Sequence, residues 1–264
     1  MNLKEKLCMA ISSCGSYSDL WDNHVTLLNE NWSDREIITT IVTDRITDKQ
    51  YEDVSVFAAG DNLEMPDRLR VFLQTVETEY ILITLDDYYV TKKIENSKIE
   101  RAIKLMDKVG LDYLRFWPYP HEKKKIEGVN KAYWIELSGN YKVNLYPGIW
   151  RKTFLESTFK NGLSAWEYEV LLTERAKDFG AKCAYSTYGE FPILDVIRKG
   201  KILHPAKRYL DSRGLKTNRE TIPYLLEFKL NVMYYAKEIV PKPILRAVKR
   251  AMKKRGYKFF TEDI

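Results

Sequence analysis

Cysteine is scarce in this chain of 264 residues: Cys8, Cys14 and Cys183 show neither paired metal-ligand spacing nor a disulfide framework. That scarcity excludes a disulfide-stapled secreted fold and a structural zinc site, and predicts a reducing, cytoplasmic location. Histidine is equally rare, at His24, His121 and His204, which excludes a multi-histidine metal centre. No apolar run is long enough to span a bilayer, and Met1 to Ala10, carrying Lys4, Glu5 and Lys6, does not read as a signal peptide. Repeats, low-complexity tracts and an obvious linker are also missing, which favours one main domain.

Acidic residues are missing from one particular stretch. Between Lys242 and Lys258 there are eight basic residues and no acidic one, more than the whole chain's net charge of +6. The basic character is therefore a C-terminal property, which argues against nucleic acid as a partner of the core. From Ile244 to Arg255 the residues Ile244, Val248, Ala251 and Met252 recur at helical spacing among lysines and arginines, and Tyr257, Phe259 and Phe260 follow. This is the profile of an interfacial helix on an anionic membrane; a solvated helix docked on the domain is the plainer alternative.

What is present is a core-forming composition, 45% hydrophobic and 13% aromatic, in an alternating order of elements. Leu7 to Ser12, Glu36 to Val42, Val54 to Ala59 and Tyr80 to Leu85 read as strands. Between them, Leu20, Trp21, Val25, Leu27 and Leu28 mark one helix, and Pro66 opens another carrying Leu69, Phe72, Leu73 and Val76. Strands separated by helical crossovers predict an α/β fold with a mostly parallel sheet whose strand-end turns share one rim. A capping box at Ser97 and Glu100 predicts the start of a helix that ends at Gly110. The aromatic-rich runs Tyr113 to Trp117, Tyr133 to Leu137 and Lys142 to Tyr146 suggest antiparallel strands, and helices are expected over Lys152 to Lys160 and Ala165 to Phe179. Strand-like Cys183 to Tyr188 and Ile193 to Ile197 precede a helical tail. Residues 1–215 are expected to form the main domain and residues 216–264 a C-terminal helical extension.

The most informative segment is Tyr80-Ile81-Leu82-Ile83-Thr84-Leu85-Asp86-Asp87, a buried-strand pattern that stops in two carboxylates. Paired carboxylates at such a lip suit a divalent cation completed by substrate phosphates, although a solvated strand end is the simpler reading. Later in the chain, Ser164 and Glu167 have capping-box spacing inside Trp166-Glu167-Tyr168-Glu169, so Glu167 has a structural reading beside any chemical one. The segment from Arg198 to Lys207, including Lys201 and His204, is basic.

The order of four pieces resembles the GT-A-fold (Rossmann-like) glycosyltransferases that build bacterial capsule, lipopolysaccharide and other surface polysaccharides. These pieces are Ser12-Ser13 through Tyr17-Ser18-Asp19-Leu20-Trp21 with Asn29 to Asp34, then Leu85-Asp86-Asp87-Tyr88, then Tyr146-Pro147-Gly148-Ile149-Trp150-Arg151, and Trp166-Glu167-Tyr168-Glu169. The resemblance implies transfer of a sugar from a nucleotide diphosphate, usually uridine-based, to a hydroxyl of a lipid-linked or growing glycan at the inner face of the cell membrane. It implies a sugar-nucleotide site at Ser12, Ser13, Tyr17, Asp44, Asp61, Arg68, Asp86 and Lys201, and a Mn²⁺ or Mg²⁺ site at Asp87 with His204. The family pattern is Asp-any-Asp, whereas here Asp86 and Asp87 are adjacent. Glu167 or Glu169 would be the general base of an inverting reaction, with a retaining reaction as the variant. Two other functions compete: nucleotidyl transfer to a sugar phosphate, which wants more than the single glycine of Ser12 to Ser16, and a catalytically inactive membrane-peripheral binding module.

Overall fold

The computed structural model describes residues 2–239, with side chains described to residue 232. The chain divides between Leu194 and Asp195 into two compact units. In the first, a short helix α1 (Leu3–Lys6) leads into β1 (Leu7–Ser12), the centre of a parallel group. β2 (Thr39–Thr43) and β4 (Tyr80–Leu85) flank β1, and β3 (Ser55–Ala58) pairs with the outer side of β2. After β4 come β5 (Tyr88–Val90), β6 (Tyr113–Arg115), β7 (Ala132–Trp134), β8 (Gly148–Arg151) and β9 (Cys183–Ser186). The eight-stranded sheet has the order β3-β2-β1-β4-β8-β6-β9-β7. β8 runs antiparallel to β4 and β6, β6 and β9 are parallel, and β7 forms an antiparallel edge. The expected α/β, mostly parallel sheet is what forms.

Alternation along the central strands divides the core into two layers, because successive strand side chains point to opposite faces. Leu7, Met9, Ile11, Tyr80 and Leu82 face one layer, with Trp21, Val25 and Leu28 of α2 (Trp21–Asn31) and Ile99, Ile103 and Met106 of α4 (Asn96–Val109). Cys8, Ala10, Ile81 and Ile83 face the other, covered by α3 (Met65–Leu73), α5 (Lys152–Thr158) and α6 (Ala165–Phe179). Both faces are buried, as a parallel sheet requires. The register sets Ser12 opposite Val42 and Leu85, and Val42 opposite Phe57, so four strands end on one rim.

Two expected features form elsewhere. The helix expected to start in a capping box at Ser97 instead has Glu95 as its N-cap, with no side-chain cap bond. The Asn96 side chain accepts from Trp32 Nε1 at 2.6 Å and donates to the Asp34 carbonyl at 2.8 Å, so tertiary bonds start the helix earlier and leave Ser97 inside it. Gly110 does end it, in the left-handed conformation. The strand expected at Lys142 to Tyr146 is replaced by β8, because side chains take the backbone groups of that segment. Thr173 Oγ1 accepts from the Lys142 and Val143 amides, Glu169 from Leu145 and Asn144 from Tyr146. β8 begins at Gly148 for a steric reason: a Cβ there would lie 2.8 Å from the Leu114 carbonyl oxygen.

Arg115 holds the loops beyond β6 and is completely buried. Its guanidinium donates to the carbonyls of Trp117 at 2.8 Å, Lys142 at 2.9 Å and Pro120 at 2.9 Å, and lies 5.5 Å over the Tyr185 ring.

The second unit opens with a hairpin of β11 (Ile197–Arg198) and β12 (Lys201–Ile202), following β10 (Ile193–Asp195), which crosses the division. Lys199 and Gly200 both have positive φ in its two-residue turn, so the basic Arg198–Lys201 run is a tight β-turn. Helices α7 (His204–Ser212) and α8 (Tyr224–Ile239) complete the described part. The expected amphipathic segment Ile244 to Arg255, with Tyr257, Phe259 and Phe260, lies outside the described residues. Among the described residues no helix is long and apolar enough to cross a membrane.

Replacing Arg115 should show that geometry matters more than charge. Arg115→Met leaves three carbonyls without donors and should lower unfolding free energy in urea by roughly 2–4 kcal/mol. Arg115→Lys should lose nearly as much, since one ammonium cannot reproduce the three-way fork.

Candidate active site

The rim begins where β4 ends. Asp86 and Asp87 form a two-residue turn into β5, and Asp86 is held from three directions. Its amide donates to the Ser12 carbonyl at 3.2 Å, its carboxylate accepts a short bond from Ser13 Oγ, and its carbonyl accepts from His24 Nδ1 at 3.0 Å. Ser13 Oγ in turn accepts from Trp21 Nε1 at 2.7 Å. β1 and the first turns of α2 therefore fix the acidic turn through Ser12, Ser13, Trp21 and His24.

The bond to a carbonyl places the His24 proton on Nδ1, and complete burial pushes its pKa down to about 4. Tyr89, whose ring meets His24 edge-on at 5.7 Å, donates to the Leu20 carbonyl at 2.9 Å. Burial, with the Asp86 charge nearby, holds its phenol above the ordinary range. Both groups stay neutral and serve as fixed walls behind the acidic turn.

The ends of β2 and β3 extend the rim. Asp44 accepts from the Gly15 amide at 2.5 Å and from Thr43 Oγ1 at 3.1 Å, and pairs with Arg45 at 3.4 Å. The Gly15 bond is foremost among those that draw its pKa below the usual carboxylate value, against the opposing effect of partial burial. Tyr17 lies in the 3₁₀ turn Gly15–Leu20 between β1 and α2. Asp61 is exposed after β3. Arg68, in the first turns of α3, donates to the Leu63 carbonyl at 2.5 Å, and its buried Nε has no hydrogen-bond partner. A part-buried guanidinium with an unused donor beside a helix start is suited to an anion.

The opposite side of the acidic turn is aromatic. Continuing the register of Ile83 with Gly148 brings Tyr146 alongside the end of β4, where its ring stacks on Tyr88 at 5.8 Å. Trp117 stacks on Tyr146 at 5.3 Å, and Tyr119 continues the row at 6.4 Å. Behind this row, the Leu145 amide donates to Glu169 Oε1 at 3.1 Å. Burial raises the Glu169 pKa, and the Leu145 bond only partly opposes the shift.

Glu167 is different. Its carboxylate accepts from the Ser164 amide at 2.9 Å and hydroxyl at 2.7 Å, while Ser164 Oγ accepts from the Glu167 amide, completing a capping box at the exposed start of α6. Those bonds lower its pKa. In the second unit, Lys201 pairs with Glu220, and His204 bonds Glu227 and stacks on Tyr224 at 3.5 Å.

Among the described residues no group of three or more His, Cys, Asp or Glu side chains gathers as a metal site. The Asp86-Asp87 oxygens fit a hard cation whose remaining ligands are phosphates and water, not an all-protein cage. His24, Trp21, Tyr146 and Trp117 are additions to the sequence-based set. Trp21, His24 and Leu28 recur at helical spacing, a signal that His24 faces inward; the contact of Glu169 with Leu145 had none.

No protein-family model and no curated protein matches the chain. Solved structures do. Residues 1–349 of S. aureus TarS in complex with UDP-GlcNAc match with a TM-score of 0.52 at 17% identity, over 75% of this chain and 60% of that one. The same TarS segment without the named ligand matches with a TM-score of 0.50 at 16% identity, over 70% and 59%. Its UDP complex gives 0.50 at 17% identity, over 70% and 59%. The chain thus spans about three-fifths of each of these three TarS structures. At this identity the likeness is one of fold: the chain has the GT-A architecture.

His24 gives this site a pH signature. Its folded pKa of about 4 lies below the unfolded value of about 6.5, so the unfolded chain takes up a proton first. The contribution is complete above about pH 6.5 and is lost as pH falls towards about 4. His24→Gln, whose amide can still donate to Asp86, should flatten the fall in stability across that window in urea titrations at stepped pH.

Proposed function

We propose that the chain is a glycosyltransferase that takes a sugar from a nucleotide diphosphate, most simply a uridine one, and transfers it to a glycan hydroxyl. The observation that carries this reading is the acidic turn Asp86-Asp87, braced by Ser13 and His24 at the parallel-strand rim. The support from comparison is that TarS structures of the same fold hold UDP and UDP-GlcNAc. In this reading Ser12, Ser13, Tyr17, Asp44 and Asp61 line the nucleoside side, and Arg68 meets the diphosphate. Lys201 and His204, the basic groups of the second unit, are paired with Glu220 and Glu227. Asp86 and Asp87 would hold Mn²⁺ or Mg²⁺ with the donor's phosphates; such a cation neutralises charge on the departing diphosphate.

Glu169 is the general base of this proposal. Its part-buried, raised-pKa carboxylate is held by the Leu145 amide, next in sequence to the Tyr146 ring that borders the acidic turn, whereas the Glu167 carboxylate is bound into a cap. An acceptor hydroxyl against that row would give its proton to Glu169 as its oxygen bonds the anomeric carbon, and the bond to the nucleotide diphosphate would break. Nucleotidyl transfer is less well supported, because the Gly15 amide that a phosphate loop would use donates to Asp44. The acceptor is proposed to be a lipid-linked or growing surface glycan, met at the inner face of the cell membrane.

UDP with Mn²⁺ or Mg²⁺ should raise the melting temperature, and Asp87→Ala should abolish that shift while remaining folded; no shift with any nucleotide diphosphate would remove the donor site. Glu169→Gln should slow transfer by about 10²–10⁴-fold at unchanged UDP affinity. Glu167→Gln preserves the box and should stay within a few-fold of the parent. The transfer rate should fall with pH as Glu169 is protonated, at a higher pH than an ordinary glutamate would give.

A further inference from the structure

Helix α8 is built inside out. Its inward face carries a carboxylate: Glu227 is 7% exposed and accepts from the His204 backbone amide at 3.3 Å and from His204 Nδ1. Its outward face is apolar: Tyr224 is 71% exposed, Leu225 86%, Phe228 69% and Val232 49%. At about 100° per residue these four fall within roughly a 100° arc, the width of a stripe that ordinarily packs against a core. Lys229 and Asn231, both exposed, fall on either side of that arc.

Charge indicates what covers the stripe. The sequence beyond the described residues carries eight basic residues and no acidic one between Lys242 and Lys258. A large apolar stripe followed by a polybasic segment complements a surface that is apolar beneath and negative on top, and each basic residue near such a surface adds about 1 kcal/mol. A protein partner would match the stripe but leave the one-signed segment unexplained.

We infer that the outward face of α8, through Tyr224, Leu225, Phe228 and Val232, inserts into the headgroup region of an anionic lipid bilayer. This deepens the membrane-surface part of the proposed function and does not depend on the transfer chemistry. The segment after Pro241 supplies long-range attraction and α8 supplies the apolar contact, so both are needed for stable binding.

The test uses the full chain, phosphatidylcholine vesicles and vesicles of phosphatidylcholine mixed with phosphatidylglycerol. The parent should sediment with the anionic vesicles and not the neutral ones, and the emission that the Phe228→Trp variant adds to the parent's spectrum should shift to the blue only with the anionic set. The double variant Leu225→Ser/Phe228→Ser should partition at least about tenfold more weakly, with far-UV circular dichroism and the UDP-dependent melting shift unchanged from the parent. Undiminished binding by the double variant would assign attachment to charge alone and overturn the inference. So would a parent that ignores anionic vesicles, or a difference spectrum between the Phe228→Trp variant and the parent that is already blue-shifted before vesicles are added, which would give the face to another part of the protein. A dimer in sedimentation velocity that the double variant converts to monomer would assign the face to a second copy and likewise overturn it. A parent that binds anionic vesicles through α8 yet shows no melting shift with nucleotide diphosphates would sink the donor reading alone.

Discussion

The candidate site depends on the capture of one residue. Asp86 presents an amide, a carbonyl and a carboxylate at the end of a buried strand, and each would cost free energy if left without a partner. β1 takes the amide through Ser12 and the carboxylate through Ser13, while α2 takes the carbonyl through His24. Because Ser13 is itself held by Trp21, the turn is tied to two elements that pack in the same core layer. Asp87 and Tyr88 follow from that capture. The bonds that hold Asp86 carry through the chain to the second carboxylate and to the ring that begins the aromatic row.

The far wall of the site is made rigid differently, with side chains standing in for a sheet. Residues 142–146 are flanked by strands yet do not form one, since Arg115, Thr173, Glu169 and Asn144 take their backbone groups. This irregular segment presents Tyr146 to Tyr88 as a stacked pair. It also couples α6 to the rim, because Thr173 and Glu169 both belong to that helix. Asp67 adds a second tie: buried in α3, it accepts from the Gly162 amide in the loop before α6.

Legibility in the sequence follows the range of the interactions. β1, β4 and α6 were readable to the residue, since a buried strand is a continuous apolar run and α6 has a cap at Ser164 and a glycine stop at Gly180. The rim was readable for the same reason, as parallel strands with crossovers must end together. Where a contact distant in sequence decides, local pattern fails. Ser97 and Glu100 have the spacing of a cap, but Trp32 and Asp34 start the helix two residues sooner by holding Asn96. The run from Lys142 to Tyr146 has the residues of a strand, but Gly148 is where the backbone fits beside Leu114. β5 escaped notice because three residues after a turn carry too little period to read.

Glu167 and Glu169 show how a two-residue offset gives two carboxylates of one helix opposite environments. Residues i and i+2 of a helix do not share a face, so the two carboxylates leave the start of α6 in different directions. One turns back to the N-terminus, where the Ser164 hydroxyl and backbone amide favour the ionised form and lower its pKa. The other turns inward, where one amide meets it and burial opposes its charge. The intervening Tyr168 is fully buried and bonds Thr158 at 2.6 Å, which fixes the rotation of the helix and hence both directions. The inward direction therefore yields a carboxylate that holds its proton more firmly than usual, and the turn back to the N-terminus one that holds it less firmly.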